Sequence, residues 1–284
     1  MAEQKLTIPD ITARKGGQPL SMLTAYDWAW ARIQDKAGID MLLVGDSLGM
    51  TMLGYTSTVP VTMDVMVHHT AAVARGAERA LVVADMPFGS LNGKRQGVAN
   101  ATRLIQEGGA DAVKIEGGVD NAGIVRAIVR AGIPVVGHVG LTPQTAVNLG
   151  GFKVQGKSAQ AARKVFDDAL ALQEAGCFCV VLEAVPTPLA REITRRVGIP
   201  TIGIGAGNVC DGQVLVMHDL LGMFDRFTPK FVRQYAKLGE VATEAIKGYI
   251  ADVGSRAFPG EENSFDMKPE ELQALLLGLG GKDT

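Results

Sequence analysis

Long apolar runs are missing from this chain. No stretch approaches the ~20 residues that a membrane-spanning helix needs, so a place in the bilayer is not expected. Cysteine is scarce and odd in number: Cys177, Cys179 and Cys210 have no CxxC spacing and no histidine near them in sequence. That excludes a disulfide framework and a zinc site and leaves buried, inert thiols. Charge of one sign is also missing. The 28 basic and 30 acidic residues are interspersed and leave a net charge of −2, so there is no electrostatic footprint for nucleic acid or anionic lipid. With 12 prolines and no low-complexity run, disordered and fibrous classes are excluded as well. The opening Met-Ala-Glu-Gln-Lys-Leu lacks the charged-then-apolar layout of a signal peptide, so a cytoplasmic protein with small-molecule partners is expected.

What is present is glycine, 35 of 284 residues against a usual share of about 7%, much of it beside short apolar runs. Eight such runs alternate with longer segments of helical periodicity. The runs are Leu20 to Thr24, Met41 to Gly45, Ala80 to Ala84, Ala112 to Ile115, Pro134 to Gly137, Phe178 to Leu182, Pro200 to Ile204 and Val214 to Met217. Helices are predicted over Trp28 to Ala37, Thr62 to Arg75, Gln96 to Glu107, Asn121 to Ala131, Ser158 to Ala175 and Pro188 to Val197. Gly38, Gly109, Gly132, Gly176 and Gly198 then read as left-handed helix C-caps. Strands apolar on both faces belong to a parallel sheet covered by helices, and eight units can close into a (β/α)₈ TIM barrel. An open doubly wound sheet is the alternative. An amphipathic stretch, Phe231 to Ile250, follows the last strand, and Leu272 to Leu279 reads as a short docking helix. Residues 1–265 are taken as a single catalytic domain with helical additions at both ends, and residues 266–284 as a tail.

In such a barrel the chemistry sits where the strands end, because those loops converge over one mouth. Seven of the eight runs end on ionisable residues: Tyr26-Asp27, Asp46-Ser47, Asp85, Lys114 with Glu116, His138, Glu183, and His218-Asp219. A single aspartate such as Asp27, Asp46 or Asp85 at that place reads first as a helix cap. Capping does not explain Lys114 and Glu116, which share parity inside Val113-Lys114-Ile115-Glu116 and so point to one face, the interior. Two charges there are costly unless paired or bound to metal. His138 alone reads as a hydrogen-bonded turn residue. Glu183, within Val181-Leu182-Glu183-Ala184-Val185, is a partly desolvated carboxylate of the kind that suits a general base. Asp46, Asp85 and Glu116 form an all-oxygen donor set that suits Mg²⁺ better than Zn²⁺. The exceptional strand end, Gly203-Ile204-Gly205-Ala206-Gly207-Asn208, reads as a tight turn, with amides facing an anion at a helix start as the second reading.

These residues lie in segments that resemble one family closely. Leu23-Thr24-Ala25-Tyr26-Asp27, Val44-Gly45-Asp46-Ser47-Leu48-Gly49-Met50, Ala84-Asp85-Met86-Pro87-Phe88, Val113-Lys114-Ile115-Glu116-Gly117-Gly118 and Gly137-His138-Val139-Gly140-Leu141-Thr142-Pro143-Gln144 are similar, in order, to the 3-methyl-2-oxobutanoate (ketopantoate) hydroxymethyltransferases, as are Val181-Leu182-Glu183 and Ile202 to Asn208. The resemblance covers Leu23 to Phe265. It implies a barrel of the phosphoenolpyruvate/pyruvate type, Mg²⁺, and hydroxymethyl transfer from 5,10-methylenetetrahydrofolate to 3-methyl-2-oxobutanoate. The product it implies is 2-dehydropantoate, reached through a Mg-stabilised enolate in the first committed step of pantothenate synthesis. It further implies Asp46 and Asp85 as metal ligands, Glu116 in or beside the coordination shell, Ser47, Lys114 and His138 at the oxo acid, Glu183 as base, and a homo-oligomer, a homodecamer. The competing enzyme class is a Mg²⁺-dependent carbon–carbon lyase or phosphonomutase of the same barrel group. Such a lyase usually carries a catalytic cysteine in a short basic, glycine-containing loop, which none of the three cysteines matches. A noncatalytic metabolite-binding scaffold would have little reason for charge at so many strand ends.

Overall fold

A computed structural model describes residues 4–279. The elements run α1 (Ile8–Thr12), β1 (Leu20–Thr24), α2 (Trp28–Lys36), β2 (Met41–Val44), α3 (Leu48–Thr51), α4 (Met63–Gly76), β3 (Leu81–Asp85), α5 (Lys94–Gln106), β4 (Ala112–Glu116) and α6 (Ala122–Arg130). They continue with β5 (Val135–Gly140), α7 (Ala159–Ala175), β6 (Cys179–Glu183), α8 (Thr187–Arg196), β7 (Thr201–Ile204), β8 (Gly212–Leu215), α9 (Met217–Leu220), α10 (Leu238–Ser255) and α11 (Pro269–Leu279). The eight strands pair in sequence order, all parallel, and β8 closes on β1 with Leu20 opposite Gly212. The closed barrel rules out the open-sheet alternative.

Two apolar layers follow from the strand period of two. Leu42, Val82, Val113 and Leu182 face outward and pack with Leu104, Ile128 and Leu172 from the helices. Met22, Met41, Val83, Ala112, Val136 and Val181 face inward. Short α1 was not visible as an amphipathic pattern, being a single turn of five residues. It is held by Thr7, whose hydroxyl donates to Asp10 at 2.5 Å, and it delivers Ile11 to the inward cluster as the barrel floor.

Three expectations need correction. Strand β8 lies at Gly212–Leu215, not at Val214 to Met217: register with β1 begins at Gly212, so Val216 and Met217 already lead into α9. Gly176 caps α7 with φ +101, and Gly38, Gly109 and Gly132 also have positive φ, but Gly198 does not; α8 ends on an extended Val197 instead. No helix separates β7 from β8, so the segment from Gly203 to Asn208 has no helix start to offer an anion. Gly205 and Gly207, at φ +65 and +80, make it the tight turn.

The chain divides into two compact units, residues 4–235 and 236–279. The reason lies in α10 and α11, which contain no buried residue. Among the described residues no helix is long and apolar enough to cross a membrane. Cys177 and Cys179 are buried and all three cysteines are free; burial pushes the Cys177 thiol up to about 12.

Candidate active site

Inward parity and strand-end position together gather Asp85, Lys114, Glu116, His138 and Glu183 in the upper barrel. Asp46 and Ser47 join from the turn after β2, around a cavity of about 100 Å³. All seven residues singled out from the sequence thus line one space. Asp27 does not join them. It caps α2, accepting from the Trp30 amide at 2.8 Å, which is the ordinary reading of such a residue. His218 lies on α9, and its ring stacks on Tyr26 at 5.5 Å.

Lys114 is the hub. Its Nζ stands 3.0 Å from Asp85 Oδ1 and donates to His138 Nδ1 at 3.2 Å. Burial disfavours its charge, but Asp85, Glu116 and Asp46 outweigh burial and hold the lysine above its ordinary value. A protonated lysine makes His138 Nδ1 an acceptor, so the ring proton resides on Nε2, which lies 3.1 Å from Glu183 Oε2. Burial and the neighbouring ammonium lower the His138 pKa, which keeps the ring neutral. Glu183 therefore has an imidazole N–H beside it, one that comes from another strand.

The carboxylates are crowded. Asp46 donates its amide to Asp85 Oδ2 at 3.0 Å, bringing the two acids together. Burial first, and the Asp85 charge second, push the Asp46 carboxyl up to about 7. Glu116 is raised well above its usual value, chiefly by burial, with Asp46, Asp85 and Glu183 adding to it. Sequence reasoning missed Gln144, which organises this cluster, and gave Tyr26 no role beyond its place at a strand end. Gln144 donates its side-chain amide to Asp46 Oδ2 and to Met86 O, both at 2.9 Å, and its backbone amide to Glu116 Oε2 at 3.1 Å. Tyr26, buried, shares a 2.8 Å hydrogen bond with Ser47 Oγ. Neither is charged, and a neutral residue in a loop or before a helix gives no local signal of its partners.

Among the described residues no three His, Cys, Asp or Glu side chains are grouped as a ready metal cage. The donor chemistry nevertheless fits a hard cation. Four carboxylates face a single ammonium in a buried space, and two, Asp46 and Asp85, sit side by side. Mg²⁺ typically takes only one or two carboxylates and fills its shell with water and substrate oxygens.

The ketopantoate hydroxymethyltransferase family model matches residues 5–261. The chain belongs to this family. The 3-methyl-2-oxobutanoate hydroxymethyltransferase of Moorella thermoacetica is 59% identical over 263 residues, covering 92% of this chain and 98% of that one. The enzyme of the same description from Desulfotalea psychrophila is 58% identical over 261 residues, covering 91% and 94%. The family member described here is thus an enzyme of hydroxymethyl transfer to an oxo acid. Among solved structures, phosphonopyruvate hydrolase in complex with oxalate and Mg²⁺ superposes with a TM-score of 0.61 at 10% identity, covering 97% of this chain and 96% of that one. A 2,3-dimethylmalate lyase of the PEP mutase/isocitrate lyase superfamily gives 0.57 at 16%, with the same coverage. At such identities these two likenesses establish the barrel fold alone.

Proposed function

We propose that this family member takes its one-carbon unit from 5,10-methylenetetrahydrofolate and transfers it to 3-methyl-2-oxobutanoate, giving 2-dehydropantoate on the way to pantothenate. The observation that carries the reading is the Glu183 carboxylate, 16% exposed, held against a neutral His138 at the edge of a cavity lined by acids and one lysine. Asp46 and Asp85 would hold Mg²⁺, with Glu116 beside them. When bound, the ion supplies positive charge to the oxygens of the oxo acid and so acidifies the adjacent C–H. Lys114 and Ser47 bind and orient the oxo acid. Glu183 removes the proton from the branched carbon, and His138 steadies the carboxylate through its Nε2–H. The carbon then forms a bond to the donor's methylene group as a carbon–nitrogen bond of the folate breaks. Water takes the place of the methylene group's second nitrogen and supplies the hydroxyl, and tetrahydrofolate leaves with the branched-carbon proton and one proton of the water on its two nitrogens. Exposed apolar residues of the second unit, such as Tyr249 and Ile250, suit burial in a homo-oligomer, a decamer by family resemblance.

Proton NMR of the oxo acid in D₂O with Mg²⁺ tests the chemistry. Wild-type protein exchanges the branched-carbon proton, and Glu183→Gln lowers both exchange and transfer by a factor on the order of 10² to 10⁴ while oxo-acid binding survives. Near-normal exchange in Glu183→Gln, together with its loss in His138→Asn, would move the base to His138.

A further inference from the structure

Asp46, Ser47 and Glu183 border a second, larger cavity of about 510 Å³, whose other walls are mostly apolar and include Phe152, Phe227 and Phe231. Two of its lining groups have no polar partner among the described residues. Asp219 is 9% exposed, and among the described residues no cation or hydrogen-bond donor faces its carboxylate; burial alone pushes it up to about 6. Thr58 is 3% exposed, and its hydroxyl is buried with no partner. Unpartnered buried polar groups are uncommon in native proteins and are tolerated where a ligand completes them. The aromatic wall is built on purpose as well. Gly205 adopts φ +65, and a Cβ there would come within 2.8 Å of the Phe231 ring, so only glycine lets the ring lie against the β7 turn. The glycine-rich segment, which opens no helix, thus shapes this cavity.

We propose that this cavity receives the heterocycle of the one-carbon donor, a reduced pterin whose ring N–H and neighbouring amino group donate to Asp219 while its carbon end faces Glu183. The inference rests on the folate reading above. A carboxylate matches two adjacent N–H donors as it matches a guanidinium fork, and a flat ring suits phenylalanine walls. Lys153 and Lys230, also in the lining, suit the carboxylates of a glutamyl tail. Position decides between cavities. Bond formation requires the donor to reach the oxo acid from a space that shares Glu183 and Ser47, and this one does. The other large cavity, about 450 Å³, touches Glu116 but neither of those residues. Its buried acid, Asp168, is already engaged by the Val119 amide at 3.0 Å and by Lys164 at 2.8 Å.

The test measures tetrahydrofolate binding by calorimetry and the KM for methylenetetrahydrofolate in the full chain, beside folate-free exchange of the oxo acid in D₂O. Asp219→Asn is expected to weaken tetrahydrofolate binding and raise the donor KM by roughly 10- to 100-fold, leaving exchange and the oxo-acid KM unchanged. Thr58→Val is expected to move the same two quantities less. Unchanged donor KM in both variants overturns the pterin assignment while the folate reading stands. Exchange lost along with donor binding in Asp219→Asn would assign Asp219 to the oxo-acid site and overturn it too. A wild-type protein that exchanges the oxo acid yet neither binds tetrahydrofolate nor transfers from its methylene form would bring down the folate reading, and the pterin assignment with it.

Discussion

At the N-terminal end of the barrel, Asp40, Asp111 and Asp211 each stand one residue before a strand and accept a hydrogen bond from the backbone of the strand before it. Asp40 takes the Ser21 amide at 2.9 Å, Asp111 the Val82 amide at 2.8 Å, and Asp211 the Thr201 amide at 2.8 Å. Each also has a cation near it: Arg14 and Arg79 for Asp40, Lys5 for Asp111, Lys15 for Asp211. Burial would raise the Asp211 carboxyl, but bonds from Lys15, Thr201 and Gly16 outweigh it and hold the group below its ordinary value. At the opposite end, Asp46, Asp85 and Glu116 crowd one another around a single lysine, and Asp46 and Glu116 are raised. The same type of side chain thus ties strands together below and stores electrostatic tension above. Tension of that kind is expected where charge must meet a substrate or a cation rather than the protein itself.

Three substitutions probe the contrast. The largest effect should come from Lys114→Met, which leaves the upper acids without the ammonium they share; a stability loss of about 3–5 kcal/mol, read by denaturant unfolding, is expected together with loss of activity. Unchanged stability would mean that the upper acids carry no tension for Lys114 to relieve. Asp211→Asn comes next, at about 2 kcal/mol, with KM values unaffected. The pH sign follows from a lowered folded pKa. The Asp211 contribution is complete above the unfolded value near 3.8 and fades as pH falls through the folded value, so wild type and variant should converge in acid. The smallest effect is expected from Asp46→Asn in metal-free protein, about 1 kcal/mol or less and stabilising at pH 8, although it abolishes transfer. Here the folded pKa is raised to about 7, so the stabilising protonation is fully present below 3.8 and is lost as pH climbs toward 7 and beyond. Wild-type stability should therefore decline relative to the variant between pH 5 and 8; a parallel course would contradict the crowding.

Strand order and the inward face of Lys114 and Glu116 were legible because strands buried on both sides are unbroken apolar runs, in which charge stands out. The start of β8 was not, since Val214 to Met217 is the more apolar run, yet register with β1 is fixed by hydrogen bonds that begin at Gly212. The upper acids were legible by position. Gln144 was not, and neither was the role of Tyr26, because what they do depends on partners far away in sequence. Two of the lower aspartates did carry a local signal, the Gly-x-Asp steps Gly38-Ile39-Asp40 and Gly109-Ala110-Asp111 directly before β2 and β4. Attention to strand ends alone passes over it.

The tie between β7 and β8 has a bearing on motion. These strands share only two register pairs, Ile202 with Gly212 and Gly203 with Gln213, and no helix covers the connection between them. Every other neighbouring pair has three or more. Considered as a hoop, the barrel has one thin joint, and local opening begins where the fewest hydrogen bonds must break together. Asp211 and Lys15 rivet that joint from below, while its upper rim, Ile204 and Gly205, lines the larger cavity. The thin joint thus lies on the side of the larger cavity, while the riveted base holds its lower end together.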